Sequence, residues 1–161
     1  MTSVREVAPD VDANAVLAGA QFIDAFRVEI GTANLDARQA CTRMVLHGPR
    51  WIDALVRLRN VLVTPFGLKT SGEGAPAPGG LIGLFPVLSE TPERLVAGFN
   101  DYHLDFRLVV DVSGTAARRQ VTSTTLVQTH NLLGRSYLAL IMPFHKLVVR
   151  GMMRRIVEPA R

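Results

Sequence analysis

LLGRSYLALIMPFHKLVVRGMMRRIVE, residues Leu132 to Glu158, is the stretch whose reading decides the fold. At about 100° per residue, Leu133, Tyr137, Leu140, Ile141, Phe144, Leu147, Val148 and Met152 share one face of a helix, and that face is expected to lie on a core. A second apolar flank, Leu138, Met142, Val149 and Met153, runs beside it, leaving Arg135, Lys146, Arg150 and Arg154 as a narrow polar stripe. The helix is therefore expected to touch two things. Burying the first face is worth on the order of 12 to 24 kcal/mol gross, at about 1.5 to 3 kcal/mol per side chain. Pro143 costs roughly 3 kcal/mol. Burial wins, so the expectation is one kinked helix, about 39 Å long. The basic residues of its later half complement the helix dipole, or form a surface for acidic headgroups.

A helix this apolar needs a surface to lie on, and the preceding residues are patterned to supply one. Strands are expected over Leu84 to Glu90, Arg94 to Phe99, Tyr102 to Val112 and Arg118 to Thr129, with tight corners at Asn100–Asp101 and Ser113 to Ala116. In the third, Tyr102, Leu104, Phe106, Leu108 and Val110 alternate with His103, Asp105 and Arg107. Short connections between alternating strands make an antiparallel meander whose first set faces the helix.

Upstream, Phe22, Phe26, Val28 and Ile30 share one side of a strand that starts at Gln21 and ends at Gly31. Two short helices follow. The first is capped by Thr32 or Asn34 and runs to Leu46, and the second spans Arg50 to Val63 with Trp51, Ile52, Leu55, Leu58 and Leu62 on one face. Gly67 to Gly83, GLKTSGEGAPAPGGLIG, lacks periodicity and reads as a long loop. Its glycines do not sit between a strand and a helix, so they make no dinucleotide fingerprint. Residues 1–19 read as an extended lead-in and 20–158 as one domain. The element order is that of an α+β fold in which a curved antiparallel sheet wraps a long C-terminal helix.

Composition narrows the function classes. The chain has 161 residues, 48% of them hydrophobic, and a formal net charge of +4. Basic residues are dispersed and aromatics few, so no nucleic-acid partner is expected. Cys41 is the only cysteine, which excludes an internal disulfide and a cysteine-rich zinc site. The N-terminal residues lack the apolar run of a signal peptide, and His145 and Lys146 interrupt the best candidate for a membrane span. The expected location is the cytoplasm.

PFGLK (Pro65 to Lys69), FPVLSETPERLVAGFNDYHLDFRL (Phe85 to Leu108) and TTLVQTHNLLGRSYLALIMPFHKLVVRGMMRR (Thr124 to Arg155) resemble an uncharacterised bacterial domain-of-unknown-function family. That family is grouped with the START, polyketide-cyclase and birch-pollen-allergen superfamily, SRPBCC, whose architecture is the helix-grip fold. The resemblance runs from about Ala20 to Arg155. It implies a cup that binds an apolar small molecule or lipid, and it brings no catalytic residues, no cofactor and no metal.

The residues themselves supply the candidates for that cup. Asp24 sits on the apolar face of its strand, either as a polar group inside a cavity or as a wet strand end. His145 falls within the broad apolar arc of the last helix, either as an acid or base near neutral pH or as a hydrogen-bonded core residue. His130 stands where strand passes to helix. Phe26, Trp51, Phe85, Phe99, Phe106, Tyr137 and Phe144 complete the ligand-binding set. Asp101, His103 and Asp105 alternate as metal ligands would, and equally as a solvated strand face does; no metal is assigned to them. The function expected is non-enzymatic binding, transport or sensing of a hydrophobic molecule between sheet and helix. The alternatives are an interaction module docking on a partner subunit, a second copy of the chain or an anionic membrane surface, and a cyclase- or hydratase-like enzyme using His145, His130 or Asp24.

Overall fold

The protein was analysed as a computed structural model, which describes residues 3–47, 50, 54, 57, 61, 65, 79–83 and 85–158. The described strands are β1 (Arg5–Val7), β2 (Phe22–Gly31), β3 (Leu81–Ile82), β4 (Phe85–Glu90), β5 (Arg94–Asn100), β6 (Leu104–Thr115) and β7 (Arg118–Thr129). The helices are α1 (Ala13–Val16), α2 (Ala37–Leu46) and α3 (Leu132–Val157). All strands pair antiparallel in one open sheet ordered β1-β2-β7-β6-β5-β4-β3. With α3 against its inner face, this is the expected α+β arrangement and is consistent with a helix grip.

Register follows from the alternation. Phe26 stands opposite Ser123, which stands opposite Val110, and Val110 stands opposite Leu95. Since side chains alternate across a sheet, every second residue from these positions points to the same side. Phe26, Val28, Val121, Leu108, Val110, Val112, Leu95, Ala97 and Val87 thereby form the inner face, merging with α2 and α3 into the main core. The outer face carries a smaller cluster of Leu126, Val109 and Leu17. The lead-in supplies its cover: Asp12 caps α1 through the backbone N–H groups of Asn14 and Ala15, and β1 adds an edge strand to β2.

Three local expectations shift, and a fourth lies mostly outside the described residues. The cap of α2 is Asp36, whose carboxylate accepts from Gln39 N while the Gln39 side chain accepts from Asp36 N, a reciprocal capping box. β3 arises inside the stretch read as loop. Tyr102 lies in the turn before β6 and is exposed. The second short helix and Trp51 fall largely or wholly outside the described residues, where Arg50, Ala54, Arg57 and Val61 are helical.

The larger correction concerns α3, which is continuous through Pro143. The side chains it buries are Val149, Met153 and Ile156, together with Gly134. Leu140, Phe144 and Leu147, the centre of the expected inward face, are exposed. The helix is turned by roughly 100° from that expectation, about one residue's angular step. Both flanks are apolar, so periodicity could not choose between them; contact with α2 and β2 did. Gly134 marks a close approach at the other end, where a Cβ would lie 2.1 Å from the carbonyl oxygen of His103.

Two outcomes follow. Met153→Ala should cost about 2 to 5 kcal/mol in urea unfolding, and Leu140→Ala less than about 0.5 kcal/mol; the expected inward face would reverse the order. Cys41 is buried on α2, and desolvation pushes its thiol up to about 12. Iodoacetamide should therefore leave it unmodified in the native protein at neutral pH and label it once the chain is unfolded.

Candidate functional site

The inner face is interrupted by polar side chains beneath α3. Asp24 on β2 is opposite Thr125 on β7, and Ser123 is opposite Phe26, so Asp24, Thr125 and Ser123 share one patch of the inner side. Phe22, Phe26 and Val127 surround them. All three polar residues are buried, Asp24 being 7% exposed.

A carboxylate at that depth is costly unless something partners it. His145, on the inward side of α3 one turn before Val149, does so. Its Nε2 lies 3.1 Å from Asp24 Oδ1 and 3.0 Å from Oδ2. A single N–H can aim well at only one of the two oxygens, and Oδ2 is left without a well-directed hydrogen bond. The imidazole, its side chain 14% exposed, is held in place by the edge of Phe22, with ring centroids 5.6 Å apart. Engaging Nε2 leaves Nδ1 as the ring nitrogen able to address another molecule. Beside the pair, Ser123 Oγ is buried with no hydrogen-bond partner among the described residues. Buried polar atoms are ordinarily satisfied; Asp24 Oδ2 and Ser123 Oγ share this inner patch, and Thr124 Oγ1, on the other side of β7, is likewise without a partner among the described residues.

The wall next to the patch is aromatic. Phe106 on β6 packs between Phe85 on β4 and Phe99 on β5, with centroid distances of 5.5 Å and 5.6 Å. All three rings are only partly buried. α3 makes its main contacts with α2 and β2 and a lesser one with β7. The helix therefore runs along the β2 side of the sheet, while α2 packs on β5 and β6. Apolar rings at one end and hydrogen-bonding groups at the other suit an amphiphilic guest.

Of the residues singled out in the sequence, Asp24, Phe26, His145, Phe85, Phe99 and Phe106 meet on the inner side. Tyr137 is half-buried on the flank of α3, and Phe144 points outward, 55% exposed. His130 continues β7 on the opposite, outer side, where its Nε2 stands 3.0 Å from Asp105 Oδ1. His103 Nδ1 is 2.9 Å from Asn131 Nδ2, and Asn131 caps α3 by accepting from Gly134 N. These contacts fasten the turn into α3, and among the described residues no cluster of metal-ligating side chains occurs. Trp51 lies outside the described residues. Ser123 and Thr125 escaped the sequence reading, although polar residues between Val121 and Val127 on an otherwise apolar alternation were a legible signal.

A separate depression of about 590 Å³ lies where β1 and the end of β2 meet α2 and α3, lined in part by Arg5, Arg27 and Arg43. Its guanidinium groups have partners: Arg5 faces Glu29, Arg27 donates to Thr122 Oγ1, and Arg43 donates to the carbonyl of Ile156.

Comparison with known proteins gives three findings. The family described as a protein of unknown function, DUF2867, matches residues 16–152. A solution NMR structure of a protein from Arthrobacter aurescens, a structural-genomics target, aligns at 14% identity over 96% of this chain and 94% of that one, with a TM-score of 0.37. No curated protein matches.

The Asp24–His145 contact is open to a double-mutant cycle. Asp24→Ala and His145→Ala should each destabilise the protein in urea unfolding at neutral pH, and their effects should fall short of additive. A coupling of about 0.5 to 3 kcal/mol is expected; strict additivity would mean that the two groups do not interact.

Proposed function

The chain belongs to the DUF2867 family, and on that premise we propose that it is a helix-grip protein of the START-like kind that binds a hydrophobic small molecule bearing a hydrogen-bonding group. The apolar body rests on Phe85, Phe99 and Phe106, and the polar end reaches Ser123 and the Asp24–His145 pair. The observation that carries this reading is the pair of under-satisfied buried oxygens, Asp24 Oδ2 and Ser123 Oγ, on the inner face beside three partly buried aromatic rings. A fold that wanted only a dry core would gain by filling those positions with apolar side chains. A guest that donates to the carboxylate and pairs with the hydroxyl removes the same cost on binding, while its hydrocarbon part gains about 25 cal/mol for each Å² withdrawn from water.

The same pair supports an enzymatic reading. A histidine oriented by a buried carboxylate is suited to proton transfer, as a cyclase or hydratase would need. His130, on the outer side, lies outside that site. Binding requires only the static hydrogen bonds, so it is the reading preferred.

Native mass spectrometry of protein purified from its host should show a co-purified apolar mass. For a medium-chain alcohol used as a probe at about a hundredfold its Kd, the native state gains about 2.7 kcal/mol. That corresponds to a rise in Tm of roughly 5 to 11 °C for a domain of this size. Ser123→Ala should leave the unliganded fold at least as stable, because it removes an unpaired buried hydroxyl, yet weaken the probe about tenfold, the worth of one hydrogen bond. An unliganded interior packed solid, with neither co-purified mass nor thermal shift, overturns the reading.

A further inference from the structure

The rotation of α3 that buries Val149, Met153 and Ile156 turns a second apolar face outward. Leu140, Phe144 and Leu147 lie one turn apart on it, 65%, 55% and 60% exposed, with Pro143 between them and Leu132, 77% exposed, at the start of the helix. Scattered exposed leucines need no explanation. An exposed row on one helix is different, because it marks a contact surface.

Charge indicates which contact. From Leu132 to Val157 the helix carries Arg135, Lys146, Arg150, Arg154 and Arg155 and no acidic residue. Two of these cations are engaged within the chain, Lys146 with Glu6 and Arg155 with Glu158. Arg135, Arg150 and Arg154 are exposed, Arg150 with its guanidinium 5.5 Å from the ring centre of Phe26. By length and by a mean hydropathy of 1.3 over its most apolar 18-residue window α3 could cross a membrane, and 11% of that window is buried. Its inward side is nevertheless fastened to the fold through Met153 in the core and through His145 on Asp24. A helix so held can lie along a bilayer, apolar row down and arginines beside the headgroups, without passing through it.

We propose that the outer face of α3, Leu140, Phe144 and Leu147 with the exposed Arg135 and Arg154, seats the protein on an anionic membrane surface. The apolar row enters the boundary between headgroups and acyl chains, and the arginines meet the headgroup phosphates and carboxylates. The inference does not rest on the inner patch, since Leu140, Phe144 and Leu147 are turned away from it.

The test is flotation of the full chain with vesicles of phosphatidylcholine alone and with added phosphatidylserine, at low and high salt. Binding is expected on the anionic vesicles and should fall as salt rises, because the attraction between exposed charges is screened. A variant combining L140S, F144S and L147S should lose at least about tenfold in partitioning, while its Tm stays near that of the parent because none of the three side chains is buried. R135E with R154E should abolish the preference for phosphatidylserine. Absence of flotation at low salt, or equal flotation on both vesicle types, overturns the proposal. So does a self-association in sedimentation velocity that the serine variant removes while vesicle binding persists, which would assign the face to a second copy of the chain.

Discussion

The contact of Val149, Met153 and Ile156 with α2 and β2 holds the rest of the structure in place. It sets the rotation of α3, and rotation decides what every other side chain of that helix meets. His145, one turn before Val149, is carried over β2 and onto Asp24. The apolar and polar demands agree on a single arrangement. Turning the helix to bury Leu140 and Phe144 would expose Met153 and strip Asp24 of the group that makes its burial tolerable. A carboxylate in the wall of the sheet thus reinforces a choice that hydrophobic packing makes first.

The same seating divides the apolar surface of the helix between two environments. α3 lies toward β2 while α2 packs on β5 and β6, and the partly buried rings of β4, β5 and β6 stand next to the inner polar patch. Because the C-terminal half is inserted into the core, the middle of the helix presents its other apolar flank outward. The Asp24–His145 contact and the outer row are two consequences of one rotation. The lead-in belongs to this scheme too: β1 extends the sheet and brings Glu6 to Lys146, which ties the polar edge of α3 to the strand beneath it.

Much of this was legible in the residues. Alternation from Leu104 to Val110 and from Phe22 to Ile30 located strands and their inner sides, short polar corners made them antiparallel, and the uninterrupted apolar pattern after Asn131 announced the long helix. Asp24 and His145 stood out because each broke an apolar face, and the structure places them against one another. Ser123 and Thr125 passed unnoticed because threonine and serine suit strands on either side of a sheet, so their types alone do not report burial. His130 looked similar to His145 in sequence but lies on the outer side, since one step along β7 reverses the direction of a side chain.

Sequence by itself determined β2, the β4–β7 meander, α2, α3 and which residues share a side, though not β1, α1 or β3, because the former follow from local periodicity and turn chemistry. Tertiary structure alone decided which flank of α3 faces the sheet, that Asp24 and His145 meet across 121 residues of chain, and that Phe144 looks outward. Periodicity records which side chains stand together on a helix. It does not record which side finds a partner, and where both sides are apolar that choice belongs to the packing of α2 and β2.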